Sequence, residues 1–64
     1  MKKYIVEVYG GSVTVAQTFE SNSRNSKKHI SDTGADHCSV FTKNGRQVSA
    51  ATRWADGKVT NVIF

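Results

Sequence analysis

Three residue pairs punctuate this chain and constrain its fold more than any other feature: Gly10-Gly11, Asn44-Gly45 and Asp56-Gly57. Each tolerates positive φ, as tight turns between right-twisted antiparallel strands require. The stretches around them alternate apolar and polar residues with the period of half-buried strands. The turns therefore set registers, and registers decide which side chains share a face.

Residues 3–9 and 12–20 read as a first hairpin. A two-residue Gly10-Gly11 loop puts Val8 opposite Val13, Val6 opposite Val15 and Tyr4 opposite Gln17. One face then holds Tyr4, Val6, Val8, Val13, Val15 and Phe19. The reverse face, with Ile5, Glu7, Tyr9, Thr14, Ala16 and Thr18, is mixed. Residues 37–43, 46–54 and 58–64 read as a three-stranded meander. Two-residue loops there set Phe41 opposite Val48, Ser39 opposite Ala50, Trp54 opposite Val59 and Ala50 opposite Ile63. Phe41, Val48, Ala50, Trp54, Val59 and Ile63 then share one face. Cys38, Val40, Ala51, Val62 and Phe64 share the other, with Arg53 near one end.

Between hairpin and meander, residues 21–33 predict the one helix, capped by Ser21 or Ser23 and closed by Gly34 in the left-handed region. It is unusually polar, and Ile30 is its only large apolar residue. Its buried stripe is expected to run through Ser23, Ser26 or Lys27, Ile30 and Ala35; a long ordered loop is the alternative. The fold class is thus a single α+β domain over residues 1–64, of order β-β-α-β-β-β, with a mostly antiparallel sheet. One lightly apolar helix cannot cover both faces of the meander. Either the sheet curls into a half-barrel or part of it is buried against a second copy.

A 64-residue chain with 38% apolar residues is near the lower limit for folding without a staple. Cys38 is the only cysteine, so no disulfide closes within the chain. A free thiol and the absence of a signal-like segment predict a cytoplasmic protein. No apolar run approaches the ~18 residues of a membrane span. The initial Met and patterning carried almost to the last residue suggest a whole small protein.

The chemistry-bearing residues are few. In Asp36-His37-Cys38, adjacent strand positions project to opposite faces, so His37 is poorly placed to activate the thiol. The bland alternative, Cys38 as a small buried hydrophobe, is the stronger one. His29, His37, Cys38, Asp32 and Asp36 offer metal donors, but their spacing fits no compact ligand pair, and two surface histidines flanking a loop are the stronger reading. Paired carboxylates at hydrolytic spacing and a dinucleotide fingerprint are missing. No catalytic activity and no cofactor or metal is expected.

Nine Lys and Arg against five Asp and Glu leave a net charge of +4, which favours contact with polyanions over mimicry of them. The densest basic stretch, around Arg24, Lys27 and Lys28, is either a phosphate-contacting helix end or a solvated face. Lys43 and Arg46 add cations at a hairpin tip, while Arg53 and Lys58 fall at the opposite end of the sheet, and Tyr9 and Trp54 are the aromatics left for stacking. The expected function is a small non-catalytic binding or regulatory protein of bacterial or phage type. It acts through protein–protein contacts, including self-association through Val40, Val62 and Phe64. The alternative is a nucleic-acid-binding accessory protein, for DNA or RNA, using Arg24, Lys27, Lys28, Lys43 and Arg46.

Overall fold

A computed structural model describes residues 2–64. Five strands and one helix follow in the expected order: β1 (Tyr4–Gly10), β2 (Val13–Ser21), α1 (Ser26–Thr33), β3 (His37–Thr42), β4 (Gln47–Arg53) and β5 (Val59–Ile63). All neighbours in the sheet are antiparallel, in the order β2-β1-β3-β4-β5, so the sheet is open, with β2 and β5 as its edges. The sheet does not close into a barrel.

Helix α1 lies on one face only. Beneath it Val6 pairs with Val40 and Val8 with Cys38, and these continue across the sheet to Ser49 and Ala51. All six are buried, together with Ile30 and Ala35. The opposite, open face carries Ile5, Glu7, Tyr9, His37, Ser39, Phe41, Ala50, Thr52, Thr60 and Val62.

The helix is shorter than residues 21–33. Residues 21–25 form successive side-chain turns: the Ser23 N–H donates to Ser21 Oγ (3.0 Å) and the Asn25 N–H to Ser23 Oγ (3.2 Å). Short hydroxyl side chains compete in this way with helical hydrogen bonds. The N-cap is therefore Asn25, whose Oδ1 accepts from the Lys28 N–H (3.2 Å). Gly34 closes the helix at φ 76°, and its N–H donates to the Ile30 carbonyl (2.9 Å). The buried stripe runs through Ser26, His29 and Ile30; Lys27 and Ser23 are not part of it.

Three registers need correction. The first hairpin turns at Gly11-Ser12, with Gly10 opposite Val13, and three residues of β2 (14–16) stand opposite the single Tyr9. Val8 therefore faces Gln17 and Val6 faces Phe19. The slip is even, so Val6, Val8 and Val13 stay on the buried side, but Val15 is lifted out, 73% exposed.

Each meander turn closes as a three-residue loop with its glycine at positive φ (92° at Gly45, 87° at Gly57). The Gly45 N–H returns to the Thr42 carbonyl and the Thr42 N–H reaches Arg46; Gly57, Trp54 and Lys58 repeat the pattern. This loop adds one residue to the two-residue turn. Between β3 and β4 a bulge after Val40 cancels the shift, so Ser39 still faces Ala50 while Phe41 faces Gln47 in place of Val48. Between β4 and β5 nothing cancels it. Val59 faces Arg53 instead of Trp54, and Val62, not Ile63, faces Ala50. A one-residue slip exchanges the faces of a strand: Val62 moves to the open face and Ile63 to the helix face.

Candidate interaction surfaces

Two surfaces stand out, a cationic end of the sheet and an uncharged edge. The cationic end is assembled from distant parts of the chain. Tyr4 pairs with both Ser21 and Thr42, which brings Lys2 and Lys3 beside the β3–β4 tip that carries Lys43 and Arg46. The Lys3 N–H donates to Asn22 Oδ1 (3.1 Å), tying the start of β1 to the segment before the helix. Buried Ser49 donates from Oγ to the Arg24 carbonyl (2.7 Å), fixing Arg24 above the start of β4. The Arg24 backbone thus lies at the same end of the sheet as Lys2, Lys3, Lys43 and Arg46, with Lys27 exposed in the first helical turn that follows, and Glu20 is ion-paired to Lys43.

Lys28 belongs to a different arrangement. It points down the helix to Asp32 (3.7 Å), an exposed i, i+4 pair of the kind worth only a few tenths of a kcal/mol. Arg53 and Lys58 lie near the other end with Asp36 and Asp56. Of the five cations singled out in the sequence, Arg24, Lys43 and Arg46 fall at the cationic end, Lys27 is exposed in the first helical turn after Arg24, and Lys28 is directed down the helix to Asp32.

The uncharged edge is β5. The Phe64 N–H bonds the Val48 carbonyl (3.0 Å) and the Trp54 N–H bonds the Lys58 carbonyl (2.8 Å). Residues 58, 60, 62 and 64 therefore spend their backbone groups on β4. By antiparallel alternation, Val59, Asn61 and Ile63 direct their N–H and C=O groups outward. No side chain from Val59 to Phe64 is charged, and Val62, Ile63 and Phe64 are 55%, 57% and 65% exposed. Among the expected self-association residues, Val62 and Phe64 are available. Val40 is not: it is fully buried beneath the helix, because β3 is the central strand. The sequence reading missed Ile63 and the outward backbone of Asn61. The missing signal was the length of the Asp56-Gly57 loop, although the lack of charge in 59–64 was in view.

The other candidate residues take structural parts. Cys38 sits between Val8 and Ala51, and burial pushes its thiol up to about 11, so it stays neutral and unreactive near neutral pH. His29 is buried rather than on the surface. Its Nε2–H donates to the Ser23 carbonyl (2.8 Å), and its ring meets Phe19 edge-on at 5.6 Å. His37 stacks on Tyr9 at 4.8 Å on the open face, with the sheet between it and His29. No group of three metal-ligating side chains and no pocket occurs among the described residues. Trp54 is exposed, and its indole N–H donates to Thr60 Oγ1 (2.9 Å).

No helix among the described residues is long and apolar enough to cross a membrane. No family model, curated protein or solved structure matches the chain.

Proposed function

We propose that this chain is a non-catalytic binding protein that acts through protein–protein contacts, made by adding a strand to the β5 edge. The observation that carries the reading is the edge itself: outward backbone groups at Val59, Asn61 and Ile63, flanked by exposed Val62 and Phe64, with no charge. Open edges in proteins are usually blunted by charge, proline or a bulge. The β2 edge has such a device in its bulge at residues 14–16, and β5 has none. An edge left open in this way supplies main-chain hydrogen bonds to an extended segment.

The test is a titration of isotope-labelled protein, kept dilute, with a Lys-flanked Thr-Val repeat peptide. The Val59, Asn61 and Ile63 amides are expected to shift and to gain protection from exchange, and Val62→Lys to weaken the response at least tenfold. Unmoved outward amides at millimolar peptide would remove the reading.

A second reading rests on the cationic end, where the N-terminal Lys2 and Lys3, Arg24 before the helix and Lys43 and Arg46 of the β3–β4 tip come to one end of the sheet. Such an end suits the phosphates of a nucleic acid, without sequence preference. Affinity for duplex DNA should then fall steeply with salt, by about 0.9 log–log unit per phosphate neutralised. Replacing Arg24, Lys27 and Arg46 together by Ala should flatten that slope. Undetectable binding at low salt discards this reading.

A further inference from the structure

We infer that the strand taken up by the β5 edge is β5 of a second copy, in antiparallel pairing about a two-fold axis at Asn61. The inference rests on the edge-docking reading and names its occupant. Outward backbone groups fall at Val59, Asn61 and Ile63, a set symmetric about its middle member. Antiparallel apposition about Asn61 sets each Val59 against Ile63 of the other copy, with Asn61 against Asn61. All three pairs are then of the type that exchanges both hydrogen bonds. Between them, Thr60 falls opposite Val62 of the other copy on the open face.

Side chains agree with the backbone. Val59 and Ile63 lie on the helix face, on strand positions that face Arg53 and Ser49, so each apolar residue meets an apolar residue across the axis. Two asparagine amides, donor and acceptor at once, meet at the axis itself. No residue of the paired segment brings a charge against its counterpart. This is the self-complementarity that a two-fold interface requires.

Charge selects the orientation. Ile63 and Phe64 lie at the cationic end, with Phe64 bonded to Val48 close to Arg46, whereas Val59 lies beside the neutral Asp56–Lys58 turn. Antiparallel pairing sends the two cationic ends in opposite directions. Parallel pairing would set them side by side, where like charges repel. The joined sheet would have ten strands, with the bulged β2 edges at its two limits.

The register makes the test sharp. Cys38 is buried, so an introduced surface thiol is the reactive one. Asn61→Cys should form an intermolecular disulfide under mild oxidation, because paired Cα atoms about 5.5 Å apart suit that bond. Val59→Cys alone and Ile63→Cys alone should not, since like residues lie roughly 13 Å apart along the strands. A mixture of those two variants should cross-link as a heterodimer. Light scattering of the parent chain at high micromolar concentration should give twice its 7.0 kDa mass. Asn61→Pro, which removes an outward N–H without taking a hydrogen bond from the β4 ladder, and Val62→Lys should each return it to monomer. A dimer that persists in both variants, or that cross-links equally at 59, 61 and 63, overturns the inference. A monomeric parent whose β5 amides still respond to the Thr-Val peptide overturns it while leaving edge docking intact. A monomer that ignores the peptide overturns both.

Discussion

At one end of β1 the glycine turn is packed against the C-terminus of the helix; at either end of β4 the glycine turns project into solvent. The Ser12 N–H donates to the Gly34 carbonyl (3.0 Å) and the Asp36 N–H to the Tyr9 carbonyl (3.2 Å), so hairpin, helix cap and β3 meet there backbone to backbone. A Cβ on Gly11 would lie 2.6 Å from the Gly34 oxygen and 2.8 Å from Asp36 Oδ1, whereas one on Gly45 or Gly57 would meet nothing within 4 Å. In the solvent turns glycine supplies a dihedral. In the packed turn it supplies a dihedral and an absence of volume. Positive φ is common to all three, and the packed turn alone carries the added steric demand.

The largest expected effect is therefore at Gly11. Gly11→Ala combines left-handed strain with a clash against main chain that has no side chain to move aside, a loss of about 3 kcal/mol or more. In a domain of this size that is much of the total stability, and urea unfolding should show a largely unfolded variant. A loss no greater than that of Gly45→Ala would break the comparison.

The core beneath the packed turn gives the next test. Cys38 lies one pair below it, opposite Val8, with its thiol raised to about 11 from an ordinary value of 9.0 by burial. Between those values the unfolded chain loses the thiol proton and the folded chain keeps it, so stability falls as pH rises. The contribution is intact below pH 9 and declines through pH 11, by about 2–3 kcal/mol in all. Comparing Cys38→Ala with the parent across this window isolates the thiol, since the variant lacks that part of the slope.

Gly45→Ala and Gly57→Ala should have the smallest effects, about 1 kcal/mol each from dihedral strain alone, seen as a modest, similar drop in Tm. Unequal losses would mean that one solvent turn makes contacts the other does not.

How much of this was legible in the sequence depended on whether a feature is local. The order of elements along the chain, the buried Val6, Val8 and Ile30, and the left-handed Gly34 all follow from alternation and spacing within short windows. The face assignments survived only where register errors happened to be even, as in β1–β2, or cancelled, as at the bulge after Val40. Asn-Gly and Asp-Gly serve two-residue and three-residue loops alike, and that single ambiguity exchanged the faces of Val62 and Ile63. Convergence of Lys3, Arg24 and Arg46 was not legible, because it depends on β1 pairing with β3 and on the Ser49–Arg24 hydrogen bond. Nor was the burial of His29, whose carbonyl partner lies in a segment that reads as helix.

The seam between β1 and β3 also has a kinetic meaning. Every other strand pair joins sequence neighbours through a short turn, but this one unites Tyr9 with His37 from the far sides of a segment containing β2 and the helix. The two hairpin units can form locally and early, while the seam must first meet the entropy of closing that long segment. Until it closes, Val6, Val8, Cys38 and Val40 have no shared interior. The half-assembled chain then exposes the edges of β1 and β3 as well as those of β2 and β5. Crowded folding at this stage invites exchange of hairpins between chains, so the rate at which the seam closes governs the yield of correctly assembled protein.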